Sequence, residues 1–291
     1  MTSTEQNHAP SPRRHARRVA PPTTQDALFE VSGPRARRWI HVGTVISVLV
    51  ILGLLYVIYQ QFALSGQLDA QYWSFFGAWT TWTFIGSGLL GTLSVAVTAG
   101  ILAIVVGLLL MSGRVSSFAP LRWLSTAIIE VARGVPSLLF IYFLFLVLPT
   151  WGITISTYWM ITIPISFNAA GVLAEVFRSG VNAVPNGQSE AATSLGLSRG
   201  QAFRSVILPQ AIRYVIPTLV TQLVVVVKDT TFGYVVTYPE MMQNAKVLIS
   251  NYNSLVPVYV VTAVIYIVIN YLLSRLARYI SRRTGAKIVV S

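Results

Sequence analysis

From residue 41 onward the chain is a series of long apolar blocks separated by short polar gaps. Six runs reach the roughly 20 helical residues needed to cross a hydrocarbon core. They are His41 to Phe62, Phe84 to Met111, Leu121 to Pro149, Ile155 to Phe177, Tyr214 to Val236 and Val256 to Leu276. This pattern predicts an all-α integral membrane protein, a bundle of about six transmembrane helices. Two places depart from a plain span. The third run is interrupted by Gly134 and Pro136, which break a helix and free backbone groups that must face protein or water. The segment 178–213 is too long for a hairpin. In it Ser189 and Glu190 precede a helix-forming run, Gly196 interrupts it, and a second amphipathic run ends at Pro209. That reads as two short helices joined by a turn and lying at the membrane surface.

Composition supports lipid as the solvent: 54% of residues are hydrophobic and only 10% charged, with a mean hydropathy of +0.65. A soluble domain carries about a quarter charged residues. The net charge of +12 would suit nucleic acid, but its placement does not. Eighteen of the 21 Lys and Arg lie in the first 38 residues, the gaps at 112–122 and 178–213, and the C-terminal end; the segments 63–83, 150–154 and 237–255 together hold only Lys246. By the positive-inside rule both termini are expected in the cytoplasm, with the basic gaps facing anionic lipid and no nucleic-acid partner.

Residues 1–38 are polar, include the run Arg13-Arg14-His15-Ala16-Arg17-Arg18, and are expected to be a disordered basic tail. A cleaved signal is the competing reading, but the next block is a full span with no small-residue cleavage site at its end. Residues 39–63 then form an N-terminal transmembrane helix, and 84–283 the main membrane domain. With no cysteine and three scattered His, neither a metal site nor a cofactor is expected. None of the three lysines follows a glycine, so no phosphate-binding loop is present and the chain itself does not hydrolyse ATP.

Ionisable residues inside spans cost about 2.5–3.5 kcal/mol each near a helix centre, so Glu130, Arg133, Glu175, Lys228 and Asp229 need a reason. Glu130 and Arg133 can pair three residues apart, as can Glu175 with Arg178 near the end of its span. Lys228 and Asp229 diverge by about 100° on a helix and need partners elsewhere. Glu130, Arg133, Lys228 and Asp229 place both signs of charge beside a broken helix, where transporters place their substrate. Ion pairs that merely hold helices together are the competing reading.

The run Gly187-Gln188-Ser189-Glu190-Ala191-Ala192-Thr193-Ser194-Leu195-Gly196, continuing to Val206-Ile207-Leu208-Pro209, resembles the EAA loop of ABC-importer permeases, with Val206 where Ile is usual. Arg133-Gly134-Val135-Pro136, Ala174-Glu175-Val176-Phe177-Arg178-Ser179-Gly180 and Lys228-Asp229-Thr230-Thr231 are similar to segments of the polar amino-acid permeases. Val172 stands where that family has a Tyr. The chain looks most like permeases of actinobacterial glutamate importers. The resemblance implies a five-helix type I importer core with one added N-terminal helix and alternating access. It implies coupling through Glu190, Ala191, Ala192 and Gly196 to a separate ABC ATPase, and adds Thr230 to the substrate candidates. It further implies a second permease subunit, identical or homologous, and an extracytoplasmic solute-binding protein. An ion-coupled secondary amino-acid transporter or channel is the alternative.

Overall fold

A computed structural model describes residues 33–283; the basic run at 13–18 and residues 284–291 lie outside it. The chain divides into two compact units, one through Gln61 and one from Phe62. The first is represented by helix α1 (Pro34–Leu64), apolar around its circumference as a lipid-solvated helix is. It starts at Pro34, so that residues 34–38, expected in the tail, form its first turns. Pro suits that place because its missing N–H would be unpaired there anyway.

In the second unit all described elements are helical: α2 (Trp79–Arg114), α3 (Ala119–Gly134), α4 (Ser137–Val147), α5 (Thr157–Asn182), α6 (Asn186–Ser194), α7 (Arg199–Ala202), α8 (Leu208–Asp229), α9 (Met241–Tyr252) and α10 (Leu255–Arg283). Four runs, α2, α5, the α7–α8 stretch Arg199–Val236, and α10, are long and apolar enough to cross a membrane, as is α1. The expected third span is real in length but not straight: α3 and the stretch Ser137–Trp151 meet at 95° across the Gly134–Pro136 break.

The axis of the bundle is the α2–α5 seam. Val95, Ala96, Ala99, Ala103 and Met111 of α2 lie fully buried against Ile161, Ile165, Ala170, Leu173 and Ala174 of α5. Small residues let two backbones approach closely, which is how helices associate where lipid removes the hydrophobic drive. The helices run parallel: the Tyr158 hydroxyl donates to Thr98 Oγ1 at 2.5 Å near one end, and Gly107 faces Ala170 and Leu173 farther along. The α3–α4 pair makes the return crossing. α8 runs back along α5, with Ala211 and Val215 against Gly180.

Two local differences from the expected pattern have clear causes. Pro209 does not end a helix. It sits in the first turn of α8, preceded by a π-helical turn, Phe203–Ile207, that shifts the hydrogen-bond register before it. The Gln210 side chain donates to Val206 O at 3.0 Å, adding a side-chain bond across the junction. Likewise α6 begins at Asn186, so Ser189 and Glu190 lie within it rather than before it.

The stretch 237–255, read as an external loop, contains α9. Asn244 donates to Phe84 O at 2.7 Å, Met241 N–H donates to Thr92 Oγ1 at 3.1 Å, and the Tyr252 ring stacks on Phe75 at 4.3 Å. These contacts bind α9 to the start of α2.

Candidate functional site

The polar groups of the spans converge on the break between α3 and α4. In an unbroken helix the Ala132 carbonyl would accept from the N–H of residue 136. That residue is proline, so the bond cannot form. Asn168 of α5 fills the gap: its Nδ2 donates to Ala132 O at 3.0 Å and reaches Val135 O at 3.4 Å. The Val135 N–H still closes the last turn of α3 on Val131 O at 3.0 Å, and Leu139 N–H opens α4 on Pro136 O at 3.0 Å. The first residue of α4, Ser137, donates to Asp229 Oδ2 at 3.4 Å, so the corner also touches the end of α8.

On the α3 side of the corner stands a chain of charges. Arg133 lies 3.9 Å from Glu130, Glu130 lies 3.5 Å from Arg114, and Arg114 pairs closely with Glu175, which accepts from Arg178 Nε at 2.9 Å. The expected local pairs, Glu130 with Arg133 and Glu175 with Arg178, are thus present, but Arg114 at the end of α2 joins them across three helices. Gly171 makes this possible. A Cβ there would meet Ala132 Cβ at 2.7 Å and the Arg133 side chain at 3.1 Å, so glycine lets α3 lie directly on α5.

The candidates on α8 separate. Asp229 is partly buried on Ser137, whereas Lys228 is exposed and, among the described residues, its ammonium has no hydrogen-bond or ion-pair partner. Thr230 is fully buried and its hydroxyl donates to Val227 O at 2.8 Å, which turns it into the protein interior. Val172, where the resemblance would place a Tyr, is half-buried on α5.

The second region is the loop that carries the Glu-Ala-Ala run. Ala192 is buried and anchors α6, while Glu190 and Ala191 are exposed. The helix ends in a Schellman cap: Leu197 N–H donates to Ala192 O at 3.2 Å and Gly196 N–H to Thr193 O at 3.0 Å. Gly196 holds φ at +82°, a conformation that costs other L-residues roughly 1–2 kcal/mol. α7 then starts on a reciprocal capping box between Ser198 and Gln201. Gln210 ties α6 back to α8 through Gln188 Oε1 at 3.1 Å. The turn leaves Leu195 83% exposed at its tip.

Sequence reasoning missed four residues: Arg114, Asn168, Leu195 and Glu240. For Asn168 a signal existed, since a proline at 136 orphans a predictable carbonyl. For Glu240 none did. It is fully buried, caps α9 by accepting from Met242 N–H at 2.8 Å and Gln243 N–H at 2.7 Å, and accepts from Tyr266 Oη at 3.2 Å. Burial pushes its pKa up to about 7, against the opposing pull of those backbone and hydroxyl donors.

A bundle of apolar helices with a polar broken span, a charge chain and an exposed capped loop defines a multi-pass membrane protein with polar groups inside its spans. Residues 103–286 match the family described as binding-protein-dependent transport system inner membrane component, and the chain belongs to that family. It is 39% identical over 230 residues to the glutamate transport system permease protein GluD of Corynebacterium glutamicum, covering 76% of this chain and 83% of that one. It is 30% identical over 210 residues to the glutamate/aspartate import permease protein GltK of Escherichia coli, covering 69% and 94%. A crystal structure of an amino acid ABC transporter with histidines superposes with a TM-score of 0.67 at 30% identity, over 69% of this chain and 94% of that one. The chain is therefore a multi-pass permease subunit of an amino-acid ABC importer, and the ion-coupled reading is set aside.

Proposed function

We propose that this permease carries glutamate or another polar amino acid inward by alternating access, driven by a separate ABC ATPase that docks on the 187–211 loop. The observation that carries the coupling is the form of that loop. One small residue, Ala192, anchors it, while Glu190, Ala191 and Leu195 stand in solvent on a rigidly capped turn. An exposed apolar tip on an ordered helix invites a partner groove. The distribution of Lys and Arg supports an orientation with this loop and both termini in the cytoplasm. The partners of the proposed assembly are the ATPase, a second permease subunit, an extracytoplasmic solute-binding protein and the surrounding lipid.

The substrate reading rests on opposite charges flanking the α3–α4 corner: Arg133 and Glu130 on one side, Asp229 and Lys228, unpaired among the described residues, on the other. These suit the carboxylate and ammonium groups of a zwitterion. Glutamate is favoured by the 39% identity to the glutamate permease GluD, against 32% for a probable glutamine permease, 30% for an arginine permease and 28% for a cystine permease of Bacillus subtilis.

The test is a single cysteine at Ser194 in the otherwise cysteine-free chain. It is expected to react only with reagents supplied from the cytoplasmic side, and to cross-link to a co-purifying ATPase. Labelling from outside would invert the orientation. Labelling from inside with no ATPase cross-link at any stage of the nucleotide cycle would remove the loop from the coupling role.

A further inference from the structure

We propose that Asn168 is a positioning residue that sets the angle of the broken helix and thereby the spacing of the charges offered to substrate. The inference rests on the reading above that Arg133 and Asp229 flank the substrate.

Pro136 takes the donor away from the Ala132 carbonyl, and in a membrane that loss cannot be made good by solvent. Asn168 is the replacement, and it comes from a different helix. Its one amide group reaches two carbonyls on either side of Gly134: Ala132 O, in the last turn of α3, and Val135 O, in the linker to α4. A donor that bridges both sides of a bend fixes the bend. A donor serving only Ala132 would satisfy the backbone and leave α4 free to swing.

What the bend positions is on either side of it. Arg133 immediately precedes Gly134, and Ser137, which immediately follows Pro136, holds Asp229 at 3.4 Å. The 95° angle therefore decides how far the Arg133 guanidinium stands from the Asp229 carboxylate. The packing around the corner does not lock it by itself. A cavity of about 160 Å³ lies against it, lined by Val131, Val135, Phe140 and Phe167 together with Ser137 and Asn168, so α4 has room to move if the amide is lost. Asn168 also stands two turns before Glu175 on α5, in the same helical stripe as Gly171. The helix that brings the amide to the corner thus also carries Glu175 and Arg178, which hold Arg114 of α2, toward the 187–211 loop. A shift of α5 would move the donor and the charge chain together.

The experiment uses the permease purified with its ATPase, reconstituted in vesicles and supplied with glutamate-loaded binding protein. Asn168→Leu keeps the size and removes the donor; Asn168→Asp keeps the shape and replaces the donor with an acceptor. Spin labels at the exposed positions Trp123 on α3 and Leu146 on α4 report the angle directly. Both variants are expected to assemble in normal amount and hydrolyse ATP at the wild-type rate. They are expected to broaden the distance distribution and to move about tenfold less glutamate per ATP. An unchanged distribution, or an unchanged ratio of glutamate to ATP, overturns the proposal. So does failure of both variants to assemble, which would make Asn168 a folding residue. Arg133→Ala and Asp229→Asn, run beside them, distinguish the two readings. Normal transport in those variants sinks the substrate assignment, while the spin-label distances still decide whether Asn168 holds the bend.

Discussion

Two short helices join consecutive spans at opposite ends of the bundle, and they are built on opposite plans. α6 buries only Ala192, leaves Glu190 and Ala191 in solvent, and ends in a turn with Leu195 almost fully exposed. α9 buries Met241, Asn244, Ala245 and Leu248, and its cap, Glu240, has no exposed surface at all. The carboxylates make the contrast sharp. Glu190 is free to meet a partner, whereas Glu240 has spent its acceptor capacity on two N–H groups and the Tyr266 hydroxyl. α6 is held by Ala192, its C-terminal cap and the Gln188–Gln210 hydrogen bond, and it leaves its outer face open, as the docking proposed above requires.

The contrast can be broken at its most exposed point. Gly196→Asp forces a side chain into the left-handed turn and puts a charge where a partner must approach. Uptake is expected to fall to background while the amount of permease in the membrane stays unchanged, as measured by transport and immunodetection on the same cells. Wild-type uptake would show that α6 is not a docking element.

At the other end the expected effect falls on stability. Glu240→Ala removes the acceptor from two backbone N–H groups and a hydroxyl, and each buried donor left unpaired costs about 1–3 kcal/mol. The detergent-solubilised complex should unfold several degrees lower. Glu190→Ala, on α6, should stay within about 0.5 kcal/mol of wild type, as surface substitutions do. Equal losses in the two variants would erase the distinction between the helices.

A gentler probe is pH. The Glu240 pKa in the folded chain, about 7, lies above its ordinary 4.5, so the folded state holds this proton more tightly than the unfolded state does. Its contribution to stability is complete below about pH 4.5, declines as pH rises and is gone above about pH 7. The amount at stake is on the order of 3 kcal/mol. Amide exchange in α9 should therefore be slower at pH 5 than at pH 8 once corrected for intrinsic exchange. Glu240→Gln should abolish that difference. Exchange in α6 should show no such dependence. A pH-dependent α9 in the Gln variant would assign the effect to another group.

The smallest effect is expected at Lys228. It is exposed and without a partner among the described residues, so Lys228→Met should leave complex yield and unfolding temperature unchanged. Uptake should fall nonetheless if the ammonium meets the substrate carboxylate. A loss of yield would instead show a structural pairing made with another subunit.

Much of this architecture could be read from the residues alone. Apolar run length determines the spans, because the thickness of the bilayer admits few alternatives. Gly134 together with Pro136 points to a break in the third span, because Pro136 has no N–H to give and Gly134 weakens the turn before it, whereas Pro164 and Pro217 sit inside continuous helices. The Glu-Ala-Ala run with Gly196 determines a short helix ending in a left-handed turn, because only glycine adopts φ of +82° without strain. Each of these is a local property, fixed within a few residues of chain.

The tertiary structure alone decided which groups meet. Glu130, Arg133, Glu175 and Arg178 pair locally as their spacing suggests, but only the contact of α2 with α5 brings Arg114 between the two pairs. The sequence announces an orphaned carbonyl at Ala132 and cannot say that Asn168, 36 residues away, will satisfy it. It places Pro209 as a helix breaker, whereas a π-turn leads directly into α8 with Pro209 in its first turn. Glu240 lies in the stretch 237–255, read as an external loop, and is buried because α2 and α10 close over it. Hydrogen bonds and ion pairs between helices depend on distances that periodicity does not encode, and in a bundle of uniformly apolar spans many neighbour arrangements satisfy the same pattern.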